Sequence, residues 1–137
     1  MRLILALVFA LAGAPAAAAD DPLFQDMGGQ GGIEKIAQLT TANLLADPRV
    51  KATFDNTNME RFEKLLSAQF CVVAGGPCEY KGRSMADAHR GLHLTNADFN
   101  AVVEDLQDAM DKAGVPFRVQ NRFLARLAPM QHDVVTR

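Results

Sequence analysis

Apolar residues recur at helical spacing along most of this chain, and no stretch alternates apolar with polar residues over the length of a strand. A repeat of three to four residues is typical of helices that bury one face. Two stripes are the clearest, Phe62, Leu65, Leu66, Phe70 and Val73 in the first, and Phe99, Val102, Val103, Leu106 and Met110 in the second. The pattern therefore predicts an all-α domain.

Glycine, proline and capping residues divide this pattern into segments. Asp47-Pro48 stops one helix, because proline disfavours helical geometry in the residue before it. Gly75-Gly76-Pro77 ends another, and the glycines within 28–32 predict a tight bend between two helices. Asn58, Ser84 and Thr95 are placed to cap the helices that follow them, and Pro116 opens the last one. We therefore expect helices over 33–46, 59–74, 84–92, 95–113 and from 116 onwards.

The first 19 residues have the character of an export signal and are expected to lie outside the fold. Arg2 precedes the apolar run 3–12, and three alanines end at Ala19, where a signal peptidase would cleave. Removing residues 1–19 from the 137 of the chain leaves 118, which we assign to one domain over 20–137. We expect a protein exported to the bacterial periplasm, not bound to the membrane after cleavage; an uncleaved anchor is the lesser alternative, since the run is short.

Charge and cysteine content exclude several classes of protein. The formal net charge of −2 argues against a nucleic-acid-binding surface, which needs clustered lysine and arginine. The two cysteines, Cys71 and Cys78, form no C-x-x-C or C-x-x-C-H motif, so a thioredoxin-like site and a covalent c-type haem are excluded. After export the pair is expected to form a disulfide across the Gly-Gly-Pro reversal, with two buried thiols as the alternative.

Histidine is scarce, and His89 is the candidate that the pattern singles out. His89 and His93 would share a face of one continuous helix and could hold a metal, but Arg90 follows His89 where metalloproteases have glutamate. His89 also lies between two strongly amphipathic helices. A neutral imidazole that points into an apolar slot between helices is what a haem iron requires. A histidine packed in an ordinary core is the alternative, and composition does not choose between them.

Short motifs in a fixed order make that choice. They are Leu23-Phe24-x-x-Met27-Gly28-Gly29, Leu45-Ala46-Asp47, Phe54-x-x-Thr57-Asn58-Met59, Gly75-Gly76-Pro77-x-x-Tyr80-x-Gly82-Arg83-x-Met85, Ala88-His89-x-Gly91-Leu92, Gly114-Val115-Pro116 and Leu127-Ala128-Pro129. In order and spacing they resemble group 1 truncated haemoglobins over nearly the whole of 20–137. The resemblance implies a truncated-globin two-over-two helical sandwich that holds haem b (iron protoporphyrin IX) non-covalently.

The resemblance also assigns residues to the site. It makes His89 the proximal ligand of the haem iron and assigns no catalytic residue. It places haem contacts at Phe54, Phe62, Leu66, Phe70, Met85, Leu92, Phe99, Val102 and Leu127. The distal pocket would contain Thr40, Thr41, Leu65 and Gln69. Here the chain departs from the family, which usually has a distal tyrosine at the position of Thr41 and a glutamine or histidine at Leu65 or Leu66.

An apolar distal pocket implies binding of oxygen, nitric oxide and carbon monoxide with reduced preference for oxygen, because bound oxygen is favoured by a hydrogen-bond donor. We expect a gas-binding protein rather than a dedicated enzyme, served by an electron-donating reductase. Nitric oxide dioxygenation or peroxidase-like chemistry is the alternative, followed by a helical interaction module without haem. Lys64 is a candidate sixth ligand, although a solvated lysine is its ordinary interpretation. His93 would compete for the proximal position.

Overall fold

The computed structural model describes residues 22–136, and among these residues the regular structure is entirely helical. The α-helices are α1 (Pro22–Asp26), α2 (Gly29–Ala46), α3 (Met59–Val73), α4 (Met85–His89), α5 (Asn96–Lys112), α6 (Phe117–Leu127) and α7 (Gln131–Val134), with 3₁₀ turns at Lys51–Phe54 and Ala128–Met130. The predicted signal over 1–19 lies outside the described residues. Within 22–136 no helix has the length and apolar character needed to cross a bilayer.

Three predicted caps are confirmed. Asn58 accepts a hydrogen bond from the Arg61 amide, and Ser84 accepts one from the Asp87 amide. Thr95 forms a reciprocal capping box with Asp98 at the start of α5. A side-chain cap of this kind stabilises a helix by about 1 kcal/mol. These bonds fix where α3, α4 and α5 begin.

The first long helix begins earlier than the predicted range 33–46. The bend is confined to residues 27–28, and α2 starts at Gly29. Gly32 then lies inside the helix, where a Cβ atom would collide with the carbonyl oxygen of Met27. This glycine is required by the close approach of the Met27 carbonyl, in the bend, to the first turn of α2. It lies within the helix, so the glycine pattern alone misplaced the boundary.

The helix that carries His89 is shorter than the predicted range 84–92, and this prediction was wrong in its second half. The backbone leaves the helical region at Arg90, with ψ 132°, and Gly91 takes a φ of +78° that favours glycine. His93 follows with a φ of +53° and is exposed. His89 and His93 therefore do not share a helix face, and the spacing argument for a two-histidine metal site fails.

The four long helices form two crossed pairs. α2 packs on α3, α5 packs on α6, and the pairs meet where α2 crosses α5 and α3 meets α6. Between them lies a main core of Leu23, Phe24, Met27, Ile33, Ile36, Ala37, Phe70, Cys71, Ala74, Leu106, Met110, Val115, Val119 and Phe123. A separate minor core consists of Leu44, Val50 and Ala101. The predicted two-over-two sandwich is confirmed.

A polar cluster fastens the end of α2 to α5. Arg49 bonds Asp47 at 2.8 Å and Glu104 at 2.6 Å. The Arg49 guanidinium holds the pKa of the Asp47 carboxyl well below its usual range. Burial, together with the neighbouring Asp47, raises the pKa of Asp105 to about 6, and Asp105 Oδ2 is buried without a hydrogen-bond partner. The Asn43 amide donates to the Asp105 carbonyl and completes the junction.

Candidate functional site

Large apolar side chains that are only half-buried lie at the edges of the two cores. Phe62 and Val102 flank the minor core, and Leu66 and Leu127 flank the main core. Phe99, one turn before Val102 on α5, is also half-buried. We call these five residues the apolar slot. Half-buried apolar side chains on α3, α5 and α6 are the kind of lining that an apolar ligand between helices needs.

The remaining predicted haem contacts are placed differently from one another. Phe54 flanks the minor core and meets Phe62 edge-to-face at 5.1 Å. Phe70 is buried in the main core against Phe123, at 5.3 Å between ring centres. Met85 is half-buried at the start of α4, whereas Leu92 is 43% exposed beyond its end. The structure therefore brings Phe54 beside the slot, and sets Phe70 within the filled core.

Met130 was absent from the predicted site. Its Sδ atom lies 3.8 Å from Nε2 of Gln69, and the same nitrogen lies 2.9 Å from Sδ of Met85. The contact joins α3, the start of α4 and the 3₁₀ turn after α6. The spacing of Met130 three residues after Leu127 was the available signal, since both then lie on one helical face.

His89 is oriented by a hydrogen bond to its own helix. Its Nδ1 lies 2.7 Å from the carbonyl oxygen of Met85. A carbonyl can only accept, so Nδ1 carries the ring proton and the neutral imidazole keeps its lone pair on Nε2. Metal-binding histidines are commonly oriented by such a bond to the second nitrogen. In its neutral form the half-buried His89 therefore has the tautomer in which Nε2 could bind a haem iron.

The two threonines nominated for the distal pocket are buried and bonded to the backbone. Thr40 Oγ1 donates to the Ile36 carbonyl at 2.8 Å, and Thr41 Oγ1 donates to the Ala37 carbonyl at 2.9 Å. Each hydroxyl has one hydrogen, and in each case it is used inside α2. Neither threonine in this geometry offers a donor to a ligand.

The polar candidates on α3, Gln69 and Lys64, also have hydrogen-bond partners within the protein. The Gln69 amide is directed at the Met85 sulfur, and the exposed Lys64 ammonium bonds Glu60 at 3.1 Å. Leu65 and Leu66, where the family has its distal glutamine or histidine, are half-buried and apolar. Of the residues predicted for the distal pocket, Thr40, Thr41 and Gln69 thus donate hydrogens within the protein, and Leu65 presents hydrocarbon.

Residues 22–136 contain no group of three or more His, Cys, Asp or Glu side chains arranged to hold a metal ion. His132 is exposed beside Asp133, 3.3 Å away. His93 is exposed in the turn after α4. The geometry gives no support to metal binding by protein side chains alone.

Comparison with known proteins identifies the family. Residues 22–136 match the model of the family described as bacterial-like globin. A group 1 truncated hemoglobin of Tetrahymena thermophila is 40% identical over 93 residues, which cover 68% of this chain and 77% of that protein. The group 1 truncated hemoglobin GlbN of Mycolicibacterium paratuberculosis is 30% identical over 114 residues, 83% of this chain and 84% of its own.

Solved structures show the same arrangement of helices. The Fe(III) form of truncated hemoglobin from Tetrahymena pyriformis superposes with a TM-score of 0.81 at 30% identity, covering 84% of this chain and 98% of that one. The 2/2 hemoglobin of Synechococcus sp. PCC 7002, described with covalently attached heme, gives 0.76 at 26% identity over 84% of this chain and 98% of its own. The chain therefore belongs to the truncated haemoglobins, globins that bind haem and diatomic gases within a two-over-two helical sandwich.

Proposed function

We propose that this chain is an exported globin that holds haem b non-covalently through His89 and binds diatomic gases in a distal pocket without a hydrogen-bond donor. The bound haem supplies an iron with one coordination position open to oxygen, nitric oxide or carbon monoxide. His89 Nε2 would hold the iron. The apolar slot of Phe62, Leu66, Phe99, Val102 and Leu127 would surround the macrocycle and exclude water.

One observation supports the distal part of the proposal: the hydrogen-bond donors predicted for the distal pocket already donate to other groups of the protein. Thr41 donates to the Ala37 carbonyl, and Gln69 donates to the Met85 sulfur. Bound oxygen carries partial negative charge and gains from a fixed donor, whereas carbon monoxide gains much less. We therefore infer that oxygen leaves this pocket faster than it leaves a tyrosine-bearing pocket, and that preference for oxygen is low.

Two substitutions at one position test this proposal. Thr41→Tyr restores the family's donor, and we expect oxygen dissociation measured by stopped flow to slow at least roughly tenfold, the effect of one fixed hydrogen bond of about 1.4 kcal/mol or more. Thr41→Val removes the hydroxyl and nearly keeps the shape, and we expect oxygen dissociation to stay within about twofold because the hydroxyl hydrogen is donated to the Ala37 carbonyl. Markedly faster dissociation in Thr41→Val would show that Thr41 donates to oxygen and would overturn the proposal.

Export, the disulfide and the non-covalent haem belong to the same proposal. Support comes from the alanine-rich cleavage sequence before Asp20, and from Cys71 and Cys78, whose Cα atoms are 5.9 Å apart. A mature N-terminus at Asp20 and a protein mass without added haem after denaturation are the expected results. A reductase would return oxidised iron to the ferrous state. Mass spectrometry of the protein from the periplasmic fraction measures the cleavage site and haem attachment together.

A further inference from the structure

The Cys71–Cys78 bridge joins a rigid element to the segment that leads to His89. Cys71 lies in the last turn of α3 and is fully buried in the main core. Cys78 is half-buried in the irregular stretch 74–84, between the end of α3 and the start of α4. The bridge anchors this stretch at Cys78, so only residues 79–84 connect the anchored point to α4.

Cys78 opens onto a groove, whereas Cys71 does not. The groove has a volume of about 600 Å³ and is lined by Gln30, Glu34, Glu60, Glu63, Lys64, Ser67, Ala68, Cys78 and Glu79. Four of these residues are glutamates; Lys64 is paired with Glu60, and the exposed Lys81, outside the lining, lies 3.8 Å from Glu79. The accessible sulfur therefore lies in a negatively charged groove, which concentrates cations and repels anions.

Gln30 places a hydrogen-bond acceptor beside both sulfur atoms. Its Oε1 lies 3.2 Å from Cys78 Sγ and 3.7 Å from Cys71 Sγ, and its Nε2 donates to Glu34 Oε1 at 3.0 Å. A disulfide sulfur carries no hydrogen and therefore cannot donate a hydrogen bond to this oxygen, whereas a thiol could. The acceptor thus favours the reduced pair, and a disulfide whose reduced form is stabilised is more readily reduced.

We propose that Cys71–Cys78 is a thiol-exchange site for positively charged thiols, attacked at Cys78 from this groove, and that its opening loosens the segment carrying α4. The incoming thiolate forms a bond to Cys78 Sγ as the S–S bond breaks, and Cys71 leaves as a thiolate that takes a proton from water. A second thiol attacks the mixed disulfide at the sulfur of the bound reagent. The products are two protein thiols and one oxidised reagent disulfide, so two electrons pass from the thiol reagent to the protein.

The state of the bridge would affect α4 because that helix is short, has no buried residue, and meets α3 mainly through the contact of Met85 with Gln69. α4 has five residues, is capped by Ser84 and packs on α7. Tyr80 donates to the Arg83 carbonyl at 2.8 Å just before it. Opening the bridge leaves residues 75–84 as one loop, whose greater conformational freedom lowers the stability of the attached short helix. Any effect on haem retention rests on the proposed function, whereas the exchange chemistry does not.

Charge selectivity and site of attack are tested first. We expect cysteamine to reduce the bridge roughly three to ten times faster than 3-mercaptopropionate at low ionic strength, with rates corrected for thiolate fraction. Glu79→Gln should narrow this ratio, and the matched control Asp55→Asn, an exposed carboxylate outside the groove, should not. After limiting reaction and alkylation, peptide mapping should show cysteamine on Cys78 and the alkyl group on Cys71. Equal rates for both reagents, or attachment to Cys71, would overturn the proposal.

The role of Gln30 and the effect on α4 are tested next. In a dithiothreitol redox buffer, Gln30→Ala should shift the equilibrium severalfold towards the disulfide, while Gln38→Ala, on the exposed side of the same helix, should leave it unchanged. Hydrogen exchange at residues 85–92 should speed up on reduction more than exchange within α2. Hydrogen exchange that is the same in both states would contradict the coupling to α4.

Haem transfer to an acceptor globin should also speed up on reduction. A protein that binds no haem would disprove the proposed function but would not affect the thiol-exchange results.

Discussion

α2 and α4 each turn a side chain back onto the carbonyl four residues earlier, with opposite chemical results. Thr40 and Thr41 bond the carbonyls of Ile36 and Ala37, and His89 bonds the carbonyl of Met85. A threonine hydroxyl has one hydrogen, so the bond removes its donor. An imidazole has two nitrogens, so the bond uses one and leaves the lone pair of the other for a ligand. If the proposed function holds, the same local bond removes the hydroxyl donors from the distal side and leaves a free imidazole nitrogen on the proximal side.

The two helices also differ in how firmly they are held. α2 has eighteen residues, six of them buried, and its end is fastened to α5 through Asp47, Arg49 and Glu104. α4 has five residues, none of them buried. The helix proposed to form the distal wall is thus part of the rigid sandwich, whereas the proposed proximal ligand lies on a short helix that depends on its cap and its connections.

The largest expected effect comes from removing the proximal ligand. His89→Gly should abolish the normal iron–histidine ligation of the reconstituted protein, because it removes Nε2 of His89, the proposed ligand atom. Added imidazole should restore a five- or six-coordinate spectrum, since the cavity left by the side chain accepts it. Absorption spectra in the ferric and ferrous states measure this directly.

His93→Ala is the matched control for that substitution. It should leave the spectra unchanged because His93 is exposed beyond the end of α4. Loss of ligation in His93→Ala together with normal spectra in His89→Gly would reverse the assignment of the ligand.

Removal of the α4 cap should have the next largest effect. Ser84→Ala leaves the Asp87 amide without its acceptor and should destabilise α4 by about 1 kcal/mol, increasing haem loss roughly fivefold. Asn58→Ala removes the same type of cap from α3, which the main core holds, and should affect haem loss less. Transfer of haem to an acceptor globin gives both rates. Equal effects of the two variants would show that α4 is no more dependent on its cap than α3 is.

The junction of α2 with α5 should respond to pH. Burial beside Asp47 raises the pKa of Asp105 to about 6 from 3.8, so the folded state binds a proton more tightly than the unfolded state. Deprotonation of Asp105 therefore lowers the free energy of unfolding as the pH rises from about 4 to about 6. Asp105→Asn should remove that decrease and raise Tm at pH 7.5 by roughly a few degrees, with little change at pH 4.5.

Asp108→Asn is the control on the same helix. Its bond to Lys112 lowers the pKa of Asp108, so this substitution should lower Tm at pH 7.5. Thermal unfolding at the two pH values measures both variants. A Tm increase for Asp105→Asn that is equal at pH 4.5 and 7.5 would show that titration of Asp105 is not its cause.

The smallest effect is expected at Gln69. Gln69→Leu should change oxygen dissociation by less than about twofold, because the amide faces the Met85 sulfur and not the ligand. Gln69→Leu and Thr41→Val can be measured in the same stopped-flow experiment. If oxygen dissociated several times faster from Gln69→Leu, the Gln69 amide would be a distal donor. The proposed difference between a distal side without donors and a proximal side with a free nitrogen would then be wrong.

Periodicity and capping predicted the fold well because they report on interactions within a single helix. The stripes of α3 and α5 and the caps Asn58, Ser84 and Thr95 needed no knowledge of the partner helices. The predicted boundaries failed in two places near glycines. Gly32 allows the Met27 carbonyl of the bend to approach the start of α2, and the chain leaves the helix at Arg90, just before Gly91 with its positive φ.

The sequence by itself determined an all-α domain, and its motifs indicated the truncated globin family and His89. The resemblance also predicted that Thr41 stands where the family usually has a distal tyrosine. Only the tertiary structure decided which polar groups remain available, since hydrogen-bond partners depend on atoms that packing brings together. It turned the Gln69 amide towards Met85, placed Phe70 in the filled core, and set Gln30 beside the sulfurs of Cys71 and Cys78. Local spacing fixes where a side chain starts, and packing decides what it touches.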